Sequence, residues 1–413
     1  MDFATRAIHA GQDADPATGA TIVPIYATST YTQSAVGEHK GYDYSRVANP
    51  TRSALETQLA ALEEAAHCIA FGSGLGAETA IAGLLSAGDH VVVSDDTYGG
   101  TYRLFTRVLE RFGVTFSFVD MTEGAAVRSA IVPATKMLWI ETPTNPMLRI
   151  VDIAAMVELA GPSRLVVVDN TFCTPYFQSP LALGADVVIH STTKYIGGHS
   201  DAIGGAAMTN DDAIAENLRL LAKTLGAVLS PFEAFLISRG AKTLALRMQE
   251  HERNAHAIAT FLSERDDVAE VLYPGLTSHP QYELALTQMR GSGGIVSVRL
   301  RGPESRALEF AKRTRLFSLA ESLGGVESLI NHPARMTHGS IPKEERDRRG
   351  ITDSLLRLSV GIESARDLIA DLRQALDATG NGAGIAAEVT AEITTLPKPE
   401  RIPATQSAGA PTS

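Results

Sequence analysis

The stretch LGADVVIHSTTKYIGGHSD, residues 183–201, joins an apolar run to a single lysine, Lys194, among small hydroxyl and glycine residues. The apolar run predicts a buried strand over residues 185–191. A lysine at a strand end commonly extends its ammonium group into solvent. An amine held at such a place can also form a Schiff base with a carbonyl compound. The residues around this stretch decide between the two roles.

Four earlier segments have the same nearly continuous Val, Ile and Leu content and alternate with helical patterns: residues 90–95, 115–120, 136–142 and 164–170. Strands of this kind are covered on both faces, as in the parallel sheet of an α/β fold. Such a sheet binds its ligand at the carboxyl ends of its strands. Asp95, Asp96, Glu141, Asp169 and the run 191–194 occupy those ends.

The composition is that of a soluble globular protein with two domains. The chain has 413 residues, 44% hydrophobic and 20% charged, and its 36 basic and 47 acidic residues give a net charge of −11. This acidity argues against a nucleic-acid partner, and no apolar run reaches the ~20 residues that span a membrane. Cys68 and Cys173 show neither metal-ligand spacing nor a disulfide framework. With no visible signal peptide, these features predict a cytoplasmic protein without a metal site.

The pattern divides the chain into four parts. Residues 1–52 show little periodicity and predict an arm that lies on a neighbouring subunit. Residues 53–240 predict the α/β domain, which opens with a helical pattern from about residue 53 to 85. Residues 241–377 predict a smaller α+β domain with a long first helix, a strand over 295–300 and a last helix over 365–376. Residues 378–413 are rich in Gly, Ala, Thr and Pro and predict a disordered tail.

A glycine-rich turn, AFGSGLGAETAIAG at residues 70–83, opens onto a predicted helix. Glycines allow close approach of an anion to the free N–H groups of a helix N-terminus. The glycines at 72, 74 and 76 lack the G-x-G-x-x-G spacing of a dinucleotide site. Asp95 and Asp96 nevertheless follow about twenty residues later, which keeps an NAD-dependent dehydrogenase open as an alternative.

Four further signals complete a set of parts that suits one cofactor. Asp169 can pair with a protonated ring nitrogen, Tyr98 can stack on a flat ring, and Arg357 can bind a carboxylate through two N–H groups. The hydroxyls just before Lys194 suit a phosphate beside the amine. Together these are the groups that pyridoxal phosphate (PLP) chemistry on an amino acid requires. A metal site at HERNAH, residues 251–256, is less favoured, because its two histidines diverge around a helix. A non-catalytic scaffold predicts the loss of at least one of these groups.

The chain also resembles a known family. Motifs shared in order include YSRVANPTR (44–52), DDTYGG (95–100), WIETPTNP (139–146), VVDNTF (167–172), STTKYIGGHSD (191–201), LAESLGGVESLINHPARMTH (319–338) and LRLSVGIE (356–363). They resemble the Cys/Met-metabolism group of PLP enzymes over roughly residues 3–377. The resemblance implies fold type I, a PLP cofactor and a homotetramer built as a dimer of dimers.

The resemblance implies a role for each matching residue. Lys194 is expected to hold the cofactor as a Schiff base and to move protons, Asp169 to pair with the pyridine nitrogen, and Tyr98 to stack on the ring. The expected phosphate contacts are Gly74, Leu75, Ser191 and Thr193, with Tyr44 and Arg46 from the neighbouring subunit. The expected contacts of the substrate α-carboxylate are Arg357, Ser322 and Asn145. Glu321 and Asp43 are expected near a distal ammonium group.

The implied reaction is γ-elimination of L-cystathionine to L-cysteine, 2-oxobutanoate and ammonia, with release of hydrogen sulfide from cysteine as a side activity. The alternative is γ-replacement, in which the thiol of cysteine displaces the acyl group of an O-acyl-L-homoserine. Both reactions use the same catalytic residues, and the motifs therefore do not separate them.

Overall fold

The computed structural model describes residues 1–339 and 341–380. Its strands are β1 His67–Phe71, β2 His90–Ser94, β3 Thr115–Val119, β4 Thr135–Glu141, β5 Leu165–Asp169, β6 Val187–His190, β7 Gly205–Thr209, β8 Val268–Leu272, β9 Ile295–Leu300, β10 Ser318–Leu319, β11 Leu329–Asn331 and β12 Leu355–Ser359. Its α-helices are α1 Phe3–His9, α2 Pro50–Glu63, α3 Gly74–Ala82, α4 Gly99–Arg103, α5 Gly124–Ala130, α6 Ile153–Ala160, α7 Thr174–Phe177, α8 Asp212–Leu225, α9 Pro231–Ala241, α10 Leu244–Ser263, α11 Tyr282–Gln288, α12 Glu304–Arg313, α13 Lys343–Arg348 and α14 Ala365–Asp377. The predicted tail lies outside the described residues from residue 381 onward.

The larger sheet has the strand order β1-β7-β6-β5-β4-β2-β3 among the described residues. The pairs from β3 through β6 are parallel, and β7 is antiparallel to both of its neighbours. All five predicted strands are present, and the α/β fold with a mostly parallel sheet is confirmed. Along β2, Val91 and Val93 pack into the apolar core on one face, and Val92 packs into the core on the other. This double burial explains why the strands lack polar alternation.

The prediction of a helical stretch from residue 53 to 85 is wrong for its middle part, which contains a strand. Helix α2 ends at Glu63, and β1 then pairs with β7 in a register that places Cys68 opposite Met208. Residues Cys68 to Phe71 are buried. A short apolar run of this kind does not reveal by periodicity whether it is a strand or a helix. Strand β7 was not predicted either, because its sequence GAAMT consists mostly of small residues with low strand propensity.

A second sheet of order β10-β11-β12-β9-β8 lies in the C-terminal part of the described chain. The predicted strand over 295–300 and the predicted helices are present as β9, α10 and α14. Helices α10 and α14 bury Ile258, Leu262 and Leu372 in one core with Val296 of β9. This packing holds β12, the strand that carries Arg357, in the centre of the sheet.

The N-terminal segment, residues 1–52, packs in part against the rest of its own chain. Helix α1 packs near α2, where Gln58 Nε2 donates a hydrogen bond to the carbonyl of Ala7. Beyond it, Thr30 and Tyr44 form an isolated antiparallel bridge. Among residues 10–52, the large apolar side chains that remain exposed are Ile22, Ile25, Val36, Tyr44 and Val47. The contact of this arm with a neighbouring subunit stays a prediction, and these exposed side chains are consistent with it.

Candidate active site

The carboxyl ends of β4, β5 and β6 open into a cavity of about 310 Å³. Eleven of the residues predicted from the sequence line it: Gly74, Leu75, Tyr98, Asn145, Asp169, Ser191, Thr193, Lys194, Glu321, Ser322 and Arg357. Most of them come from the larger sheet and its loops, whereas the last three come from the C-terminal part of the chain. The fold therefore brings together residues that are far apart in sequence.

Lys194 lies in the turn that follows β6, where its backbone N–H donates to the carbonyl of Ser191. Its Nζ atom donates a hydrogen bond to Ser322 Oγ across 2.9 Å. Burial lowers the pKa of Lys194 to about 8, and the nearby Arg357 acts in the same direction. A substantial fraction of this amine is therefore neutral and nucleophilic near physiological pH.

Asp169 is the last residue of β5 and lies opposite Glu141 of β4 and Ile189 of β6. Burial raises the pKa of this carboxyl, and hydrogen bonds from Thr171, whose N–H lies 2.9 Å from Oδ1, oppose the rise. An acid whose pKa is raised in this way gains stability from a cationic partner. The protonated nitrogen of a pyridine ring is such a partner.

The other end of the cavity is built for an anion. Helix α3 begins at Gly74, and the Ser73 side chain accepts a hydrogen bond from the N–H of Gly76, which leaves the N–H groups of Gly74 and Leu75 at the cavity wall. A Cβ atom on Gly74 would lie 3.0 Å from the Cβ of Ser191. The glycine thus keeps the helix terminus beside the Ser191 hydroxyl. Together with Thr193, these groups suit a phosphate.

Tyr98 lies in the loop between β2 and α4, and its side chain forms part of the cavity wall. Its backbone N–H donates to Glu141 Oε2 across 2.7 Å, and Thr97 Oγ1 donates to the same oxygen across 3.0 Å. Burial raises the pKa of the Tyr98 phenol. The ring is therefore neutral near pH 7 and is available for stacking.

Arg357 is the middle residue of β12 and is 2% exposed. One terminal nitrogen donates to Asn145 Oδ1 and the other donates to the carbonyl of Ser322, each across 2.8 Å. Its Nε atom is buried without a hydrogen-bond partner. Burial lowers the pKa of Arg357 to about 10, and the group remains cationic at neutral pH. A fixed, buried guanidinium at the cavity wall suits a substrate carboxylate.

Three predicted residues lie away from this cavity. Arg46 donates a hydrogen bond to the carbonyl of Lys223 across 2.7 Å and lies 5.2 Å from the centre of the Tyr44 ring. Asp43 accepts a hydrogen bond from the N–H of Tyr44. Within one chain these residues do not reach the site, and their expected roles toward a neighbouring subunit stay predictions.

Glu78 lines the cavity and was missed in the sequence. It is 3% exposed, and one of its carboxyl oxygens has no hydrogen-bond partner. Burial raises its pKa to about 8, and the negative charge of Asp169 adds to the rise. The available signal was an acidic residue inside the otherwise small and apolar helix GLGAETAIA.

The residues fit the cofactor that the sequence predicted. A lysine amine of lowered pKa, a partly buried acid on the neighbouring strand and a helix N-terminus meet at the carboxyl edge of a mostly parallel sheet. This combination defines a PLP-dependent enzyme of fold type I. The model of the Cys/Met metabolism PLP-dependent enzyme family matches residues 4–377, and the chain belongs to that family. PLP is its cofactor, and the dinucleotide alternative is wrong.

Relatives of this chain carry different reaction names. Cystathionine γ-synthase of Mycobacterium tuberculosis is 54% identical, with 90% of this chain and 96% of the relative covered. Cystathionine β-lyase of Coxiella burnetii is 53% identical, covering 90% and 97%. Cystathionine γ-lyase of Bacillus subtilis is 51% identical, covering 91% and 100%.

Solved structures agree with the fold. The crystal structure of metB from Corynebacterium glutamicum has a TM-score of 0.90 and 48% identity, covering 92% of this chain and 99% of that one. Cystathionine γ-lyase from Lactobacillus plantarum, complexed with L-serine, has a TM-score of 0.89 and 47% identity, covering 91% and 99%. The described part of the chain contains no helix long and apolar enough to cross a bilayer.

Proposed function

We propose that this enzyme catalyses γ-elimination of L-cystathionine to L-cysteine, 2-oxobutanoate and ammonia. The observation that supports a substrate with an amino-acid group at each end, as in cystathionine, is the pair of opposite charges that line one cavity, Glu321 and Arg357. Cystathionine has an amino-acid group at each end. Arg357 suits the α-carboxylate at the reacting end, and Glu321 suits the distal ammonium group.

The residues of the chain would orient the substrate and move its protons. PLP, when bound, supplies a ring that withdraws electrons from the substrate Cα. The Lys194 amine, with a pKa of about 8, is suited to accept the proton from Cα and to return a proton at a later step. Ser322 Oγ lies 2.9 Å from Nζ and orients that amine. Cleavage of the Cγ–S bond gives cysteine after protonation of sulfur, and water completes the release of 2-oxobutanoate and ammonia.

A second candidate is γ-replacement of O-acyl-L-homoserine by L-cysteine. The 54% identical mycobacterial relative, which is named a cystathionine γ-synthase, favours it. Its product is cystathionine, and Arg357 and Glu321 would bind the same two ends. The two reactions therefore differ in which step the enzyme accelerates most, and not in the charged groups that it needs.

The test supplies purified enzyme with L-cystathionine alone, and then with O-acetyl- or O-succinyl-L-homoserine plus cysteine. The products are quantified by mass spectrometry and kcat/KM is compared, with the Lys194→Ala variant as the blank. Formation of cysteine and 2-oxobutanoate with the higher kcat/KM supports elimination. Faster formation of cystathionine supports replacement, and pyruvate with homocysteine indicates β-elimination. Either of the last two results rejects the proposal.

A pair of variants, one at Glu321 and one at a control position, tests the role of the charge pair in substrate binding. Glu321→Gln removes a charge from the cavity, and we expect KM for cystathionine to rise about tenfold because an ammonium contact is lost. Glu327→Gln is the control, because Glu327 contacts Ser200 and does not line the cavity. An unchanged KM in Glu321→Gln would remove the support that the proposal takes from the charge pair.

A further inference from the structure

Two buried carboxyl groups connect the loops that carry Tyr98 and Asn145. The first loop, residues 95–98, follows β2, and the second loop, residues 142–147, follows β4. Asp96 belongs to the first loop, and Glu141 is the last residue of β4. We call these two acids, with their hydrogen-bond partners on the opposite loop, the carboxylate clasp.

Glu141 holds the first loop from the side of β4. Its Oε2 atom accepts hydrogen bonds from the Tyr98 N–H and from Thr97 Oγ1, at 2.7 and 3.0 Å. Glu141 is 5% exposed, and both bonds are therefore largely shielded from water. The backbone position of the stacking tyrosine thus depends on an acid of the neighbouring strand.

Asp96 holds the second loop in the opposite direction. Its Oδ2 atom accepts hydrogen bonds from the Thr144 hydroxyl and from the Met147 N–H, the latter at 3.2 Å. Its Oδ1 atom is buried without a partner. Thr144 and Met147 flank Asn145, whose side-chain oxygen accepts the hydrogen bond of Arg357. Asp96 therefore fixes the segment that orients the guanidinium.

We propose that the carboxylate clasp is a positioning device that sets Tyr98 for the cofactor ring and Asn145, with Arg357, for the substrate carboxylate. It acts through hydrogen bonds to the Tyr98 backbone and to the residues that flank Asn145, and Glu141 itself also lines the cavity. The inference rests on PLP as the cofactor and on the carboxylate role of Arg357. It does not depend on which carbon–sulfur reaction the enzyme catalyses.

The physical basis is the cost of unpaired groups in a buried site. Burial raises the pKa of Glu141 well above its ordinary value and that of Asp96 to about 6, and the donors on the opposite loop oppose the rise. Loss of one donor leaves a buried acceptor undersatisfied, and the two loops are then free to separate. Displacements of this kind weaken a site that needs accurate orientation.

Three threonine variants test the clasp without removing an acid. Thr97→Val removes a donor to Glu141, and Thr144→Val removes a donor to Asp96. Thr209→Val is the matched control, because Thr209 is buried and its hydroxyl donates to the carbonyl of Asp186 at the other end of the sheet. Each change replaces a hydroxyl by a methyl group of similar size.

Two affinities are measured on the holoenzyme, along with the free energy of unfolding. Cofactor retention on dilution is measured by the visible absorbance of the bound cofactor. Binding of L-alanine is measured by the change in that absorbance. L-Alanine has no leaving group, so its affinity is independent of the proposed γ-elimination. We expect Thr97→Val to raise the Kd for PLP about threefold or more, and Thr144→Val to raise the Kd for L-alanine about threefold or more. The control should leave both within about twofold.

Conservative variants of the acids complete the test. Glu141→Gln and Asp96→Asn keep an acceptor oxygen, and we expect them to retain both affinities within about threefold. The proposal is overturned if Thr97→Val and Thr144→Val lose stability like Thr209→Val while both affinities stay unchanged. It is also overturned if the amide variants lose more affinity than the valine variants, because charge and not position would then be the cause.

Discussion

At the scale of single residues, the reactive amine of Lys194 lies where burial disfavours its positive charge. The pKa of Lys194 is about 8 against an ordinary 10.5, chiefly because of burial. The unfolded chain therefore binds more protons than the folded apoprotein between about pH 8 and 10.5. The stability of the apoprotein is expected to rise with pH across that window.

The direction of this pKa shift gives a prediction for the stability of the apoprotein. Lys194→Met removes the buried ammonium, and near pH 7 we expect the variant to be more stable by up to about 3 kcal/mol. The difference should shrink toward about pH 10, because the wild-type protein gains stability there. Urea unfolding of both apoproteins at the two pH values measures it.

The control is Lys312→Met, since the side chain of Lys312 is 77% exposed. Its effect on the unfolding free energy should be small and should not change over the same pH range. A constant difference between wild type and Lys194→Met would show that burial of the charge does not govern this lysine.

The sequence predicted most of the cavity residues, because parallel strands end at the same edge of a sheet. Asp169, Ser191 and Lys194 were placed by that rule alone. Glu78 was not found, because an acid within a helix usually faces water, and only the packing of α3 against the cavity shows otherwise. The hydrogen bonds of the carboxylate clasp were equally hidden, since they depend on loop geometry and not on residue type.

At the scale of elements, helix α3 contributes its N-terminus to the anion site through one glycine. We predict that Gly74→Ala raises the Kd for PLP about tenfold, because a Cβ only 3.0 Å from the Cβ of Ser191 pushes the helix and the hydroxyl apart. Phosphate groups bind there through closely approaching N–H groups. Cofactor titration of the apoprotein, followed by absorbance, measures the effect.

The same helix offers the control. A Cβ on Gly76 would meet its nearest neighbours at 3.4 Å, an ordinary contact distance. Gly76→Ala should therefore leave the Kd for PLP unchanged and should stabilise the helix slightly. Equal losses of affinity in both variants would show that helix packing, rather than the anion site, is disturbed.

The central strands of the larger sheet were predicted, whereas β1 and β7, which complete the sheet on one side, were not. Continuous runs of large apolar residues identify β2, β4 and β5, because each buries both faces. Strand β1 is the short mixed run HCIAF, and β7 consists mostly of small residues. Strand β1 pairs with β7, and β7 also pairs with β6, which keeps both strands extended. That pairing is a property of the tertiary structure and is not visible in local sequence.

At the scale of the whole molecule, the N-terminal arm, residues 1–52, leads to a prediction about active sites that two subunits share. We propose that Tyr44 and Arg46 serve the phosphate of a neighbouring subunit. Arg46→Ala should then weaken cofactor retention, and Lys194→Ala should abolish turnover. In a mixture of the two variants, a hybrid dimer contains one site with both native residues.

Refolding the two variants together should therefore restore activity to about a quarter of the wild-type sites. The control mixes each variant with itself through the same procedure. If the mixture shows no gain over the separate variants, Arg46 does not act across the interface. The sequence of one chain predicts the existence of such an arm but not where it docks.

The strand order of the larger sheet also has a consequence during protein synthesis. Strand β1 is hydrogen-bonded in that sheet to β7, which pairs His67 with Thr209. A ribosome that adds about 5–20 residues per second needs on the order of ten seconds to make the intervening chain. Throughout that delay the nascent segment HCIAF has no backbone partner in its final sheet. We expect this mostly apolar segment to be open to association with other apolar surfaces until β7 has been synthesised.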